Sequence, residues 1–127
     1  MTHTITIQND ELPTITAHMT DEDSAHCYIK HGAWAVEVDA RQTPDSDFMD
    51  LRSDSWGGGR GDNFSGRIAG VIGCEYQDAF EASMRATVEH VTRLGLIRAL
   101  AVERAGCSFD DIRSVEAGAD SWVVTFW

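Results

Sequence analysis

Hydrophobic and polar residues alternate at the two ends of the chain and recur with a longer period in its middle. Near the N-terminus, Ile5 and Ile7 alternate with Thr4 and Thr6. Ile15, Ala17 and Met19 then alternate with Thr14, Thr16 and His18. A period of two marks half-buried strands, and the turn-forming residues Asn9 to Pro13 between them predict a hairpin. After the acidic turn 20–25, residues 26–30 and 33–40 predict a second hairpin about His31 and Gly32. Trp34, Val36 and Val38 share one face of its second strand; Ala35, Glu37 and Asp39 share the other, which should be wet.

Residues 41–62 have no clear period, and hold one Pro, four Gly and five Asp. They read as a long loop, a feature that in a small domain is functional or disordered. Phe48, Met49, Leu51 and Trp56 predict that it is tacked to the core or to a partner. Asp62 and Asn63 are good N-caps, so helix is expected from there. Gly70 and Gly73 are possible kinks in its first part. The strongest helical stretch is 77–94, with Phe80, Met84, Thr87, Val88, Val91 and Leu94 on one face. Glu81–Arg85 and Glu89–Arg93 are i,i+4 pairs in the favourable order on the outer side. Gly95 punctuates this helix, and 96–105 reads as a separate piece ending at Gly106, with Arg104 beside the carbonyl end.

The C-terminal stretches 112–116 and 121–127 flank a turn at Ala117 to Asp120 and predict a last hairpin. Trp122, Val124 and Phe126 face one way; Val123, Thr125 and Trp127 face the other. A strand apolar on both faces is central in its sheet or covered by a partner. Trp122, Val124, Phe126 and Trp127 are therefore also candidates for self-association, as a homodimer. The expected fold is α+β in a single domain, 1–127. A mainly antiparallel sheet forms from N-terminal hairpins and a C-terminal hairpin, with a central helical segment packed on one face.

Charge changes the picture more than composition does. The chain has 21 acids against 10 bases, a net charge of −11, and nine of the bases are Arg. Residues 1–62 carry 12 acids and 4 bases; residues 63–127 carry 9 and 6. Such a surface repels phosphate backbones and anionic membranes and favours basic protein partners, so direct nucleic-acid binding is not expected. There is no apolar run long enough to span a bilayer and no basic, apolar leader at the N-terminus. The widely spaced Cys27, Cys74 and Cys107 fit a reducing, cytoplasmic compartment rather than a disulfide framework.

The sequence supplies little catalytic signal. Gly61 to Arg67 has the glycine spacing of a phosphate-binding loop, but Arg67 and Ile68 stand where Lys and Ser or Thr are needed. Gly57 to Gly61 thus reads as a flexible hinge, and Arg60-Gly61-Asp62 as its continuation. His18, His26, Cys27 and His31 are metal-capable, but His26 and His31 are five apart on a strand and point to opposite faces. Asp45 to Asp50 lacks the glycine and glutamate of a calcium loop. Cys74 or Cys107 would need a histidine brought close in space to act as a nucleophile. No catalytic, metal or cofactor residue is assigned.

The acidity itself remains. Asp45, Asp47, Asp50 and Asp54, with Phe48 and Trp56 as apolar anchors, and the turn Asp21, Glu22 and Asp23, are the candidate partner-binding residues. The expected function is inhibition by occupying the basic, nucleic-acid-binding surface of a partner complex. In size and charge alone the chain resembles phage- or plasmid-borne inhibitors such as anti-CRISPR and antirestriction proteins, which would act in the host cytoplasm on a CRISPR effector or restriction complex. The alternatives are a small enzyme or ligand-binding domain with a pocket between sheet and helix, and an assembly subunit that self-associates through its last strand.

Overall fold

The computed structural model describes the backbone of residues 3–42, 48–57, 60–69 and 77–127, and the side chains of 3–42 and 84–127. The fold is α+β: two antiparallel sheets with one long helix packed on them. The strands are β1 (His3–Gln8), β2 (His18–Asp21), β3 (Ser24–His31), β4 (Trp34–Gln42), β5 (Phe48–Gly57), β6 (Arg60–Ala69), β7 (Ile112–Ala117) and β8 (Ser121–Phe126). The helix α1 is Gln77–Ala105. The smaller sheet has the order β1-β8-β7, and the larger is the meander β2-β3-β4-β5-β6.

The expected hairpin about His31 and Gly32 forms, with Gly32 at φ 61°, where a side chain would be strained. The C-terminal hairpin also forms, and β8 is the central strand of its sheet. The expected N-terminal hairpin does not. β1 pairs with β8 instead, Ile5 opposite Val124 and Ile7 opposite Trp122. Pro13 has no N–H to give to a ladder. Residues 13–17 form no regular element, yet Ile15 and Ala17 are buried. The alternation seen there reflects a buried connector. The true partner of β3 is the short β2, across the acidic turn, where Asp21 Oδ1 accepts the Asp23 N–H at 2.8 Å.

Residues 48–57 and 60–69 are strands, where a loop and a helix start had been expected. Asp62 and Asn63 lie within β6, opposite Ser55 and Asp54. Their capping chemistry is a local signal only; a ten-residue ladder to β5 gives the backbone hydrogen bonds that a glycine-bearing helix would hold weakly. Gly58, Gly59, Gly70, Gly73, Cys74, Asp45 and Asp47 lie outside the described residues.

α1 runs unbroken through Gly95, contrary to the expected break. A glycine inside a helix costs about 1 kcal/mol relative to alanine. Here Gly95 is itself buried, and Leu96, Ile97, Ala99 and Ala101 beside it are fully buried. That burial outweighs the propensity. The core stripe is Met84, Val88, Thr92, Leu96 and Ala99, against Val36 and Val38 of β4, Cys27 of β3, Ile7 of β1, and Val124 and Phe126 of β8. Thr92 is the buried polar member, and its hydroxyl donates to the Val88 carbonyl at 2.8 Å. The helix ends as expected. Gly106, at φ 69°, and Cys107 both donate their N–H groups to the Val102 carbonyl, at 2.9 and 3.3 Å.

Two side-chain ties fix the end of α1. The Trp34 indole N–H donates to Glu103 Oε2 at 2.6 Å. The Arg104 guanidinium holds Glu11, with Nη2 to Oε1 at 2.6 Å. Together with the Gln8 N–H, which donates to Glu11 Oε2 at 2.7 Å, this ion pair holds the Glu11 carboxyl below the usual glutamate range.

Candidate binding surfaces

α1 covers one face of the β3–β4 pair. Ala25 and Cys27, with Trp34, Val36, Val38 and Ala40, are buried there. The alternate residues carry the opposite face. Tyr28 is 51% exposed, Lys30 and Asp39 are exposed, and His26 and Glu37 are half-buried. The described residues provide no helix to cover this side. His26 Nδ1 lies 2.6 Å from Asp39 Oδ1, and its Nε2 lies 3.7 Å from Glu37 Oε1. His26 and Asp39 are direct cross-strand partners, and Glu37 is one row away. This trio is the metal-capable cluster among the described side chains, with ligand atoms within 4.8 Å of one another.

The four metal-capable residues picked out by sequence are not brought together. Cys27 points into the core, where its thiol donates to the Thr16 carbonyl at 3.5 Å. Burial pushes that thiol up, with the nearby Glu89 charge adding to the effect and a hydrogen bond with Thr92 opposing it. Such a thiol is a packing group rather than a nucleophile. His18 pairs in register with His26, and His31 stands at the other end of β3. Cys107 does meet a histidine: its sulfur is 3.8 Å from His3 Nε2, and the His3 ring stacks on Phe126 at 5.1 Å. The thiol sits just past the carbonyl end of α1.

Some of the acidic candidates lie at one end of the larger sheet. Asp21, Glu22 and Asp23 are exposed at the β2–β3 turn. The Asp23 carbonyl accepts the N–H of Gln42, the last residue of β4, at 2.8 Å. β5 begins at Phe48, and Asp45 and Asp47 lie outside the described residues. Asp50 then stands opposite Arg41 in register. Further along β5, Asp54 is opposite Glu37 and Trp56 opposite Ala35. Register thus gives Asp50, Asp54 and Trp56 cross-strand neighbours on the alternate set of β4 residues, not on the Val36 and Val38 set. Arg41, and Arg52 opposite Asp39, interrupt these acids. Among the described residues, acids lie both at the turn end, as Asp21, Glu22, Asp23 and Asp50, and along the strands, as Glu37, Asp39 and Asp54.

Comparison of the chain with protein-family models, with curated proteins and with solved structures returns no match. Its own residues therefore carry the functional reading.

The self-association candidates divide. Val124 and Phe126 are fully buried beneath α1, and Trp122 is half-buried. Trp127 is 66% exposed, with the Arg113 guanidinium 5.1 Å from its ring. Among the described residues, no helix is long and apolar enough to cross a membrane.

Sequence reasoning missed a concave feature where the connector after β1, α1 and β8 meet. It is a groove of about 420 Å³ lined by Asn9, Leu12, Pro13, Thr14, Ile15, Arg93 and Trp122. No motif marks it, because its residues come from three distant segments. The one legible signal was the proline-centred connector, which had been read as a hairpin turn.

Proposed function

We propose that the chain is a protein-binding domain that occupies a basic surface of a partner, of the kind that otherwise tracks a nucleic-acid backbone. The observation that carries this reading is the hydrogen bond from the Gln42 N–H to the Asp23 carbonyl, which joins the Asp21–Asp23 turn to the end of β4. The Asp21–Asp23 turn and Asp50 of β5 are far apart in sequence, yet both lie towards the Gln42 end of β4, where Asp50 stands opposite Arg41 in register. A localised concentration of carboxylates on a chain of net charge −11 steers a basic partner to that end. Tyr28, exposed on the open face, adds an aromatic anchor that charge alone does not supply.

The test is capture of partners from a lysate of the source cell at low and high salt, followed by competition with duplex DNA or RNA. The expected partner binds nucleic acid, is released by salt and is displaced by the competitor. Reversal of Asp21, Glu22 and Asp23 to Lys should weaken capture about tenfold or more, mainly through slower association. Capture indifferent to salt and to the reversal would overturn the reading. An inhibitor of this kind blocks the partner's nucleic-acid binding in stoichiometric amounts.

A further inference from the structure

The groove between the connector, α1 and β8 contains a cation, Arg93, that has no polar partner among the described residues. Arg93 is half-buried, and among the described residues it makes no hydrogen bond or ion pair. Its natural partner is Glu89, one turn earlier on α1. That carboxylate is engaged elsewhere: Glu89 Oε1 accepts the N–H of the buried Ala17 at 3.1 Å. The irregular connector uses one oxygen of this acid for its own backbone, and the expected Glu89–Arg93 pair does not form.

The other walls are mixed, with Thr14 and Asn9 beside apolar groups. Leu12, Pro13, Ile15 and the Trp122 ring line the groove, and Asn9 supplies a polar side chain at its rim. The His90 ring lies 6.3 Å from Trp122, tilted against it. A volume of about 420 Å³ falls in the range of small-molecule sites. We infer that this groove binds a small organic monoanion: a carboxylate held by Arg93, on an apolar or aromatic body packed against Trp122, Leu12 and Pro13. A guanidinium presents a planar fork that matches a carboxylate with two parallel hydrogen bonds. A single cation matches a single negative charge. Nucleotides and other polyanions would find one Arg in the groove against the repulsion of a chain of charge −11. This inference is independent of the acidic turn and of any protein partner.

The probe is 3-phenylpropionate, compared with its uncharged amide and with 3-phenylpropylamine, titrated calorimetrically into the full chain and followed in parallel by amide shifts of residues 9–12, 14–15, 90–93 and 122. The carboxylate should bind about tenfold or more tighter than the amide, and the amine should not bind. Arg93→Gln should remove the preference for the carboxylate while leaving helix content unchanged, and Arg93→Lys should restore only part of it. Equal affinity for acid and amide, carboxylate binding unmoved by Arg93→Gln, shifts confined to other residues, or no binding by any of the three probes would overturn the inference.

Discussion

On the α1 side of the larger sheet, Ala25, Cys27, Val36 and Val38 are withdrawn from water, while on the opposite side Tyr28 is half exposed and His26, Glu37 and Asp39 form a polar trio. Both sets come from the same two strands, in strict alternation. The buried set has one arrangement because its side chains share a close-packed space with Met84, Val88 and Leu96, where removal of a single methylene is felt. The open set is held by the same backbone at no packing cost of its own. It is free to carry charge, and its residues can change with little effect on folding. One exception sharpens the rule: Ala35 belongs to the open set by alternation yet is 6% exposed. Its register neighbour on β5 is Trp56.

The largest expected effect breaks the buried side. Val36→Ala removes two methyl groups from a site with no exposure, and should lower unfolding free energy by about 2 kcal/mol, read as a shift in urea midpoint without a change in slope. Glu37→Gln, the adjacent residue on the open side, should move the same midpoint by less than about 0.5 kcal/mol. Equal costs for the two would erase the distinction between the faces. A smaller effect tests how the helix is tied to the start of β4. Trp34→Phe keeps most of the buried ring but loses the bond to Glu103, and should cost about 1 kcal/mol in the same titration.

The smallest effect is at the exposed Glu11–Arg104 tie, and it is visible mainly through pH. The carboxyl is held below the usual glutamate range in the folded chain. The folded state therefore binds this proton less readily than the unfolded state does. Its stabilising contribution is fully present above the ordinary glutamate range, about pH 4.3, and is lost as pH falls through the lowered folded value. Glu11→Gln should flatten that part of the acid-unfolding curve and leave the rest unchanged. An identical acid limb in the variant would show that the pair contributes nothing to folding.

Several elements were legible because their signal is local. The β3–β4 hairpin, the final hairpin and the helix end at Gly106 each rest on alternation or turn chemistry within about ten residues. The errors share one cause, a local signal overruled by a distant partner. Ile5 and Ile7 announced a strand but not that β8 would receive it. In β5, Ser53 and Ser55 stand opposite Val38 and Val36. Small polar residues there left no apolar alternation, so the strand looked like a loop. Gly95 promised a break that burial around Leu96 and Ile97 cancelled. The acidic residues of the candidate surface were legible from composition, but the joining of the acidic turn to Gln42 was not.

The sequence by itself determined the fold class, the antiparallel pairing of the two correct hairpins and the excess of negative charge, because each depends on residue type and short-range period. Only the tertiary structure decided which strand stands beside β1, that the acidic turn joins the end of β4, and that Glu89 turns to Ala17 and leaves Arg93 in the groove. Those outcomes depend on contacts between residues up to 120 or so positions apart. Chain packing, rather than local preference, chooses among such contacts, since it must satisfy buried backbone groups and fill the core at once.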